Sequence, residues 1–416
     1  MAQPALSQPG RTQRTAKDLH NLPRSPALSH LFRGAEAAAD PNFPPESKFS
    51  ASAIWEMIRS YLAYVLHKKH YFPDANASPS RAVFQMAGEQ ADDQVKIAVA
   101  GDWGTGTLEA ETVARNMMES DPHYTIHLGD VYYVGDPPEV NENCLGIVNP
   151  NNNYTPVTWP IGKAGSFALN GNHEMYANGT GYFDLFLPQV GLRLPGDQMS
   201  GQHTSFFCLQ NKFWRVIAID TGYNSTGVPI LSQIPLINSI PGIGGDCKLR
   251  DELISWLTSV VNPQQDNRGL VILAHHQYYS AFETSYRKPA KQLWKAGIKK
   301  NAVWFWGHEH RLAGYDLFGP DDLKVFGRCV GHGGMPVGLG APKHGPAPKF
   351  YDDRTSPNGF GFNGHVNLLF TGPKLEATYV DVGKKELLRE EWQVDGSGNC
   401  IQTGYTPVLR DPNFHA

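Results

Sequence analysis

The sequence predicts an α/β fold, and three observations lead to this prediction. From about Val95 onward, apolar segments of strand length recur, among them "VKIAVA", "YTIHL", "WRVIAI", "GLVILA" and "NAVWFW". Two segments with helical periodicity, "TLEAETVARNMMES" and "RDELISWLTSVV", lie between them. Polar residues stand where the apolar segments end. Strands this apolar are buried on both faces, and their alternation with helices is typical of an α/β domain.

Composition and charge narrow the class of protein. The chain has 416 residues, 41% of them hydrophobic, which suffices for one large domain or two ordinary ones. The formal net charge is -4 and Lys and Arg form no block, so we expect no binding to nucleic-acid polymers. The five cysteines form no CxxC pair, which argues against a zinc ribbon or a disulfide framework.

No targeting or membrane segment is apparent in the sequence. The first residues lack the apolar core of an export signal, and no apolar run approaches the ~20 residues that span a bilayer. We therefore expect a cytoplasmic protein that does not bind membranes, with export as the alternative.

Three regions are expected along the chain: an N-terminal extension at 1–94, a main domain at 95–395 and a C-terminal tail at 396–416. Residues 1–49 are rich in Pro and Ser, and we expect them to be disordered or draped over the main domain. Residues 51–70 have the periodicity of a helix. The Gly- and Pro-rich insert at 222–248 is either a lid or an ordered loop.

Side chains suited to metal binding follow five of the predicted strands. The carboxyl ends of strands in an open α/β sheet build the ligand site, so these side chains should converge. The two histidines of "GHEH" are two residues apart, and in extended backbone both would face the same side. The sequence therefore predicts a metal site that includes Asp102, Asp130, Asn172, His173, His275, His308 and His310.

The order of these motifs resembles that of the calcineurin-like metallophosphoesterases. The family pattern of GD, GD, GNH[DE], an apolar run ending in His, and GHxH is present as "GDWG", "GDVYY", "GNHE", "ILAH" and "GHEH". The resemblance covers roughly residues 95–310. It implies a four-layer α/β/β/α sandwich of two mixed β-sheets, with two metal ions at one edge, so that 95–395 would be the metallophosphoesterase catalytic domain.

Within this superfamily the chain looks most like the purple acid phosphatases. Many members begin with Asp-x-His, but this chain has Asp102-Trp103-Gly104. Purple acid phosphatases replace the absent histidine by the tyrosinate of GDxxY, which here is Tyr133, with Tyr132 as competitor. A phenolate suits ferric iron, whose charge lowers the pKa of the tyrosine.

The resemblance also implies two ligand sets and a pair of metal ions. The cofactors would be Fe(III) plus a divalent ion, namely Fe, Zn or Mn. The first ion would take Asp102, Asp130, Tyr133 and His310, and the second Asp130, Asn172, His275 and His308. His276 adjoins His275, but neighbouring strand residues face opposite sides, which favours His275.

The implied function is hydrolysis of small phosphate monoesters by a hydroxide that bridges two metal ions. His173 would contact the phosphate or protonate the leaving group; alternatively it supports Asn172. His332, Tyr223 and Arg311 are candidates for substrate binding. A Mn- or Zn-dependent phosphodiesterase or nucleotide hydrolase is the alternative, and a non-catalytic metal-bound scaffold is a third reading.

Overall fold

The computed structural model describes residues 10–19, 63–64, 67–86, 90, 92–226 and 245–416. Residues 63–64 are helical, but most of the helix predicted at 51–70 lies outside the described residues, as do residues 227–244 of the predicted insert.

Helices and strands alternate through the first two thirds of the described chain. The α-helices are α1 Leu108–Glu119, α2 Pro137–Asn143, α3 Asn172–Tyr176, α4 Asp251–Trp256 and α5 Arg287–Lys295, and short 3-10 or π-helical turns include Ala16–Leu19, Tyr182–Phe186 and Leu257–Val261. The strands are β1 Val83–Gln85, β2 Gln94–Ala100, β3 Tyr124–His127, β4 Gly165–Ala168, β5 Gly191–Leu192, β6 Phe207–Gln210, β7 Trp214–Ala218, β8 Gly269–Ala274, β9 Ala302–Trp306, β10 Leu312–Phe318, β11 Val325–Val330, β12 Phe350–Asp352, β13 Gly364–Thr371, β14 Lys374–Asp381, β15 Glu386–Val394, β16 Cys400–Pro407 and β17 Phe414–His415.

The strands form two mixed β-sheets. Within the described residues, one sheet has the order β1-β6-β7-β8-β9-β11-β10-β12-β17 and the other β16-β15-β14-β13-β2-β3-β4-β5. Strands β7, β8, β9 and β11 run parallel, as do β2, β3 and β4, whereas β13 to β16 are antiparallel. The parallel strands of each sheet end at one edge, where the polar residues of the motifs follow them.

The alternation of side chains along strand β2 shows how the layers stack. Ile97 and Val99 of β2 belong to a core shared by both sheets. Ala98, between them, belongs to the outer core that contains Val113 and Met117 of α1. Since alternate side chains of a strand face opposite sides, β2 is covered by the second sheet on one face and by a helix on the other. The predicted four-layer α/β/β/α sandwich is confirmed.

The C-terminal residues are not the tail that the sequence predicted at 396–416. Strand β16 pairs with β15, and β17 pairs with β12. Cys400 and Phe414 join the core between the sheets. The pattern of β16 is mostly half-exposed, as expected of an edge strand, so no apolar run marks it in the sequence.

The expected domain boundary at residue 94 also needs correction. Strand β1 pairs in parallel with β6, so residues 83–85 of the predicted extension belong to the main domain. Phe84 packs in the core between the sheets. Among the described residues, no helix combines the length and the apolar character needed to cross a membrane.

Candidate metal centre

Three of the predicted ligands have left-handed backbone conformations at the ends of strands. The φ angles are 57° for Asp102 after β2, 75° for Asp130 after β3 and 66° for His308 after β9. Such angles are uncommon for residues other than glycine, although Asp and His adopt them more often than most, and they are found most often at functional sites. The chain therefore turns sharply where each ligand leaves its sheet.

Glycines let these turns approach one another closely. A Cβ atom on Gly171 would lie 2.1 Å from Asp130 Oδ1, and one on Gly307 would lie 2.5 Å from Asp102 Oδ2. Neither position has room for a side chain. The glycines of "GNHE" and "GHEH" are thus required so that the two carboxylates fit between neighbouring strand ends.

Backbone amides fix both carboxylates in orientation. Asp102 and Asp130 are buried. The amide of His308 donates to Asp102 Oδ2 at 2.7 Å, and the amide of His173 donates to Asp130 Oδ1 at 3.0 Å. Each carboxylate is therefore held by a backbone amide of a motif that supplies another predicted ligand.

Tyr132, not Tyr133, brings its hydroxyl to this cluster. The Tyr132 hydroxyl lies 2.7 Å from Asp102 Oδ1, 3.0 Å from Asp130 Oδ2 and 3.0 Å from His310 Nε2. Burial and the neighbouring carboxylates raise the pKa of this hydroxyl well above its usual value. The phenol thus occupies the place that the sequence prediction gave to Tyr133.

The Tyr133 side chain is directed elsewhere, so its predicted position is corrected. Its hydroxyl is buried without a hydrogen-bond partner among the described residues. Burial raises the pKa of this hydroxyl. The charged groups that also shift this pKa include Arg14, Glu139 and Asp18, and they do not include Asp102 or Asp130. The GDxxY resemblance fixed only the spacing of the tyrosine, whereas the side-chain directions depend on the path of the chain beyond β3, through the left-handed residue Asp130.

A second group of ligands surrounds His275. Its Nε2 atom lies 3.2 Å from both Asp130 Oδ1 and Asn172 Oδ1. The Leu128 carbonyl accepts a hydrogen bond of 2.9 Å from His275 Nδ1, which leaves Nε2 for a ligand. The His308 ring is 5.2 Å from that of His275. The two predicted ligand sets thus adjoin each other through Asp130.

His276 lies closer to this group than the sequence argument suggested. His275, His276 and His308 offer ligand atoms that all lie within 4.8 Å of one another. Thr221 holds His276 through its ring and through its backbone amide, at 3.1 and 3.0 Å. Only His275 of these two neighbours forms an ion pair with Asp130 among the described residues. The His276 ring lies beside that of His308 and adds a third imidazole to the cluster.

His173 is oriented by the loop that carries the tyrosines. Its Nδ1 atom donates to the Tyr133 carbonyl at 2.5 Å, and its Nε2 atom lies 3.9 Å from Asp130 Oδ2. Because a carbonyl only accepts, the neutral ring carries its proton on Nδ1. Nε2 is then the atom that gains or releases a proton beside the carboxylate.

The charges of the cluster fit a bound cation. Burial alone would raise the pKa of Asp130, but His275 and His173 hold it well below its usual value. Burial alone would lower the pKa of His275, but Asp130 raises it to about 9. Among the described residues, histidines are the only ion-pair partners of Asp102 and Asp130. In the metal-free cluster, a proton on His275 therefore balances the charge of Asp130. A bound metal ion would displace this proton and balance the same charge.

Two of the predicted substrate residues are buried and contact other parts of the chain. The Tyr223 hydroxyl donates to the His70 carbonyl at 2.6 Å, and its ring packs edge-on against Phe72. His332 is buried against Gly364, where an added Cβ would lie 2.9 Å from its Nε2. Their roles in substrate binding stay predictions. The "GHGGMP" loop instead supports the site, since the Met335 amide donates to the Asp102 carbonyl.

Arg311 stays a prediction. Its guanidinium stacks 3.9 Å from the centre of the Phe282 ring, and the residue is largely buried. No hydrogen bond joins it to the cluster among the described residues.

Two carboxylates, the half-buried Glu139 and the buried Glu309, were missed by the sequence argument. Glu139 accepts from the amides of Tyr133, Val134 and Gly135 at 2.5 to 2.8 Å, and so fixes the tyrosine loop. Glu309 accepts from the Ser280 hydroxyl. The sequence "DPPE" carried a signal for the first, because Asp136 before two prolines marks a helix start with Glu139 at its third position.

The fold and the site together define a class of protein: a two-sheet α/β sandwich with a cluster of Asp and His, suited to a metal ion, at the carboxyl ends of its strands. The profile of the calcineurin-like phosphoesterase family matches residues 95–312, more than half of the chain. The chain therefore belongs to the calcineurin-like phosphoesterase family.

Comparison with solved structures gives distant likenesses. Purple acid phosphatase PPD1 from yellow lupin (Lupinus luteus) is 14% identical, with a TM-score of 0.49 over 74% of this chain and 55% of the lupin chain. GAP50 of Plasmodium, described as an anchor in the inner membrane complex, is 14% identical, with a TM-score of 0.47 over 73% and 90% of the two chains. A dimetal phosphatase from Danio rerio is 11% identical, with a TM-score of 0.40 over 75% and 99%. No match was found among curated protein sequences. No assignment of chemistry follows from identities this low.

Proposed function

We propose that this protein is a binuclear metal-dependent phosphoesterase of the purple acid phosphatase type, which hydrolyses small phosphate monoesters. The observation that carries the proposal is the Tyr132 hydroxyl, which meets Asp102, Asp130 and His310 at 2.7 to 3.0 Å. A buried phenol among two carboxylates and an imidazole is a donor set that suits ferric iron.

The proposed ligand sets follow from the two groups that share Asp130. Fe(III) would be held by Asp102, Asp130, Tyr132 and His310. A divalent ion, Fe, Zn or Mn, would be held by Asp130, Asn172, His275 and His308. When bound, the pair supplies a nucleophilic hydroxide near neutral pH and neutralises charge on the phosphoryl oxygens.

His173 is proposed to handle the leaving group. Its Nδ1 proton is committed to the Tyr133 carbonyl, so a second proton resides on Nε2, on the side of Asp130. From this atom the ring can donate to a departing alkoxide. Burial lowers the pKa of His173, which makes the protonated ring a stronger acid than an exposed histidine.

A second candidate is a Zn- or Mn-dependent phosphodiesterase or nucleotide hydrolase. The observation that favours it is the third imidazole, His276, beside His275 and His308. Imidazole clusters suit zinc as well as iron. In this case Tyr132 would be a hydrogen-bond donor to the carboxylates rather than a ligand.

The test combines elemental analysis, a visible spectrum and rates on a chromogenic phosphate monoester and diester. The proposal predicts iron, a purple colour from tyrosinate-to-iron charge transfer, and faster hydrolysis of the monoester. A colourless active protein with zinc or manganese and a preference for the diester would support the second candidate. Asp130→Asn and His173→Ala variants that keep the wild-type rate would defeat both candidates. Wild-type protein that binds metal but hydrolyses neither substrate would favour a non-catalytic scaffold.

We propose that the protein works in the cytoplasm. All five cysteines are free and buried, which suits a reducing compartment. Protein isolated from its source would be denatured and treated with a thiol reagent. Labelling of all five cysteines would support this location, and a disulfide would oppose it.

A further inference from the structure

The segment Gly10–Leu19, here called the N-terminal strap, lies against the loops that shape the metal centre. Thr12 pairs with Tyr154 and Arg14 pairs with Thr107 in isolated parallel bridges. The strap is thus attached to two separate loops of the main domain. The sequence left open whether residues 1–49 drape over that domain, and this part of them does.

Arg11 anchors one end of the strap. Its guanidinium donates to the carbonyls of Asn149, Asn152 and Tyr154 at 3.5, 3.2 and 3.1 Å. All three carbonyls share the Nη1 end of the guanidinium, so this end is committed to a single loop. This contact joins residues about 140 positions apart in the chain, so it is a tertiary contact rather than a local turn.

The middle of the strap is held beside helix α1. The Arg14 guanidinium stacks 4.1 Å from the centre of the Tyr154 ring and donates to the Thr105 carbonyl at 3.3 Å. The Ala16 amide donates to Glu109 at 2.8 Å, and the Leu108 amide donates to the Arg14 carbonyl at 2.8 Å. These bonds fix the direction in which the strap continues.

The strap ends on the tyrosine that enters the metal centre. Leu19 is 3% exposed and forms a small apolar cluster with Tyr132 and Met335, against which Tyr133 packs. The Tyr132 backbone is fixed separately, since its amide donates to the Gly104 carbonyl and its carbonyl accepts from Asn143 Nδ2, both at 2.9 Å. Leu19 and Met335 therefore cover the ring itself.

We propose that the strap is a positioning element of the metal centre and that Leu19 is the residue through which it acts. Leu19 is linked to the proposed ligands by its place beside the Tyr132 ring in this apolar cluster. By covering this ring it holds the hydroxyl between Asp102 and Asp130. This inference rests on the proposed function in one respect, namely that Tyr132 binds metal.

The test uses the full chain with Leu19→Ala, Leu19→Met and Leu323→Ala. Leu323 is 1% exposed and lies two residues before β11, at the edge opposite the metal centre, so its truncation controls for general loss of packing. Hydrogen exchange of the peptide spanning residues 128–136 is measured in metal-free protein. The affinity for iron, the ion assigned to the Tyr132 site, is measured by equilibrium dialysis with metal analysis.

We expect Leu19→Ala to raise exchange in residues 128–136 and to weaken iron binding by about tenfold, the loss typical of groups that support a metal ligand. Leu19→Met should restore both, and Leu323→Ala should change neither. Equal effects of Leu19→Ala and Leu323→Ala, or none from Leu19→Ala, would overturn the inference. Wild-type protein that binds no iron would instead contradict the proposed function, and the exchange measurement would still decide the role of the strap.

Discussion

The Tyr132 hydroxyl lies 2.7 Å from Asp102 Oδ1, whereas the neighbouring Tyr133 hydroxyl has no hydrogen-bond partner among the described residues. This difference gives two nearly identical substitutions opposite expected results. Tyr132→Phe should weaken metal binding by about 10- to 100-fold, because it removes a donor from the ligand set. Calorimetry and metal analysis after dialysis would measure the loss.

Tyr133→Phe is the matched control for that experiment. It removes one hydroxyl from the adjacent position and should leave metal content and any visible absorption band unchanged. If Tyr133→Phe lost the metal while Tyr132→Phe kept it, the roles assigned to the two tyrosines would be reversed.

Ser280 is expected to stabilise the loop that carries His308 and His310. Its hydroxyl donates to Glu309, between the two histidines, and accepts from the amides of Phe282 and Glu283 at 2.8 and 2.9 Å. Ser280→Ala should therefore lower the free energy of unfolding by about 1–3 kcal/mol, the range for buried polar groups that lose a partner. Urea denaturation of the metal-free protein would measure this change.

Ser259→Ala, at an exposed position on a helical turn, is the control for Ser280→Ala. It should change the free energy of unfolding by less than about 0.5 kcal/mol. A loss at Ser280 no larger than that at Ser259 would mean that the Glu309 contact contributes nothing measurable.

Arg328 and Glu390 form a buried pair that joins the two sheets. Arg328 lies on β11 and Glu390 on β15, and two bonds of 2.6 Å connect their side chains. Arg328→Met leaves a carboxylate in the core without its cation, so it should cost about 3–5 kcal/mol in the free energy of unfolding. The double variant Arg328→Met with Glu390→Leu should recover a large part of this loss, since no buried charge remains. A double variant as unstable as Arg328→Met would show that packing, not charge, sets the cost.

Stability should fall in acid partly because of His365. Burial, with a further effect of His332, lowers the pKa of His365 to about 3. The unfolded chain binds a proton on this residue below about pH 6.5 and the folded chain does not, so the free energy of unfolding falls as the pH falls. Between about pH 6.5 and 4.5 the loss should reach about 2–3 kcal/mol.

The contribution of His365 can be isolated by comparing variants. His365→Leu should remove this part of the pH dependence, whereas His344→Leu, at an exposed position, should not. Urea denaturation of metal-free protein at several pH values gives the slopes. Identical slopes for wild type and His365→Leu would contradict the assignment.

The sequence predicted the architecture and most of the cluster because both depend on local patterns. Asp102, Asp130, His275 and His308 each follow an apolar run, and the parallel order of the strands brings those ends together. The choice between Tyr132 and Tyr133 could not be made this way. It depends on the path of the chain after the left-handed turn at Asp130, which no periodicity describes.

Long-range contacts account for the other differences. Strand β16 is recognised only by its pairing with β15, because it is half exposed and has no apolar run. Arg11 finds its carbonyl partners about 140 residues further along the chain. His332 carries the residue type of a substrate group, yet its side chain is enclosed by the strand that begins at Gly364.

The left-handed backbone at Asp102, Asp130 and His308 places the proposed ligands but lowers the stability of the fold. Each such residue costs of order 1–3 kcal/mol unless glycine relieves it. Asp102→Gly would then deprive the chain of a ligand, while relief of the backbone would offset part of the cost of the hydrogen bonds that Asp102 accepts from His308 and Tyr132. A single change of this kind would produce an inert protein that survives in the cell, so members of such a lineage could lose their reaction long before they lose their shape.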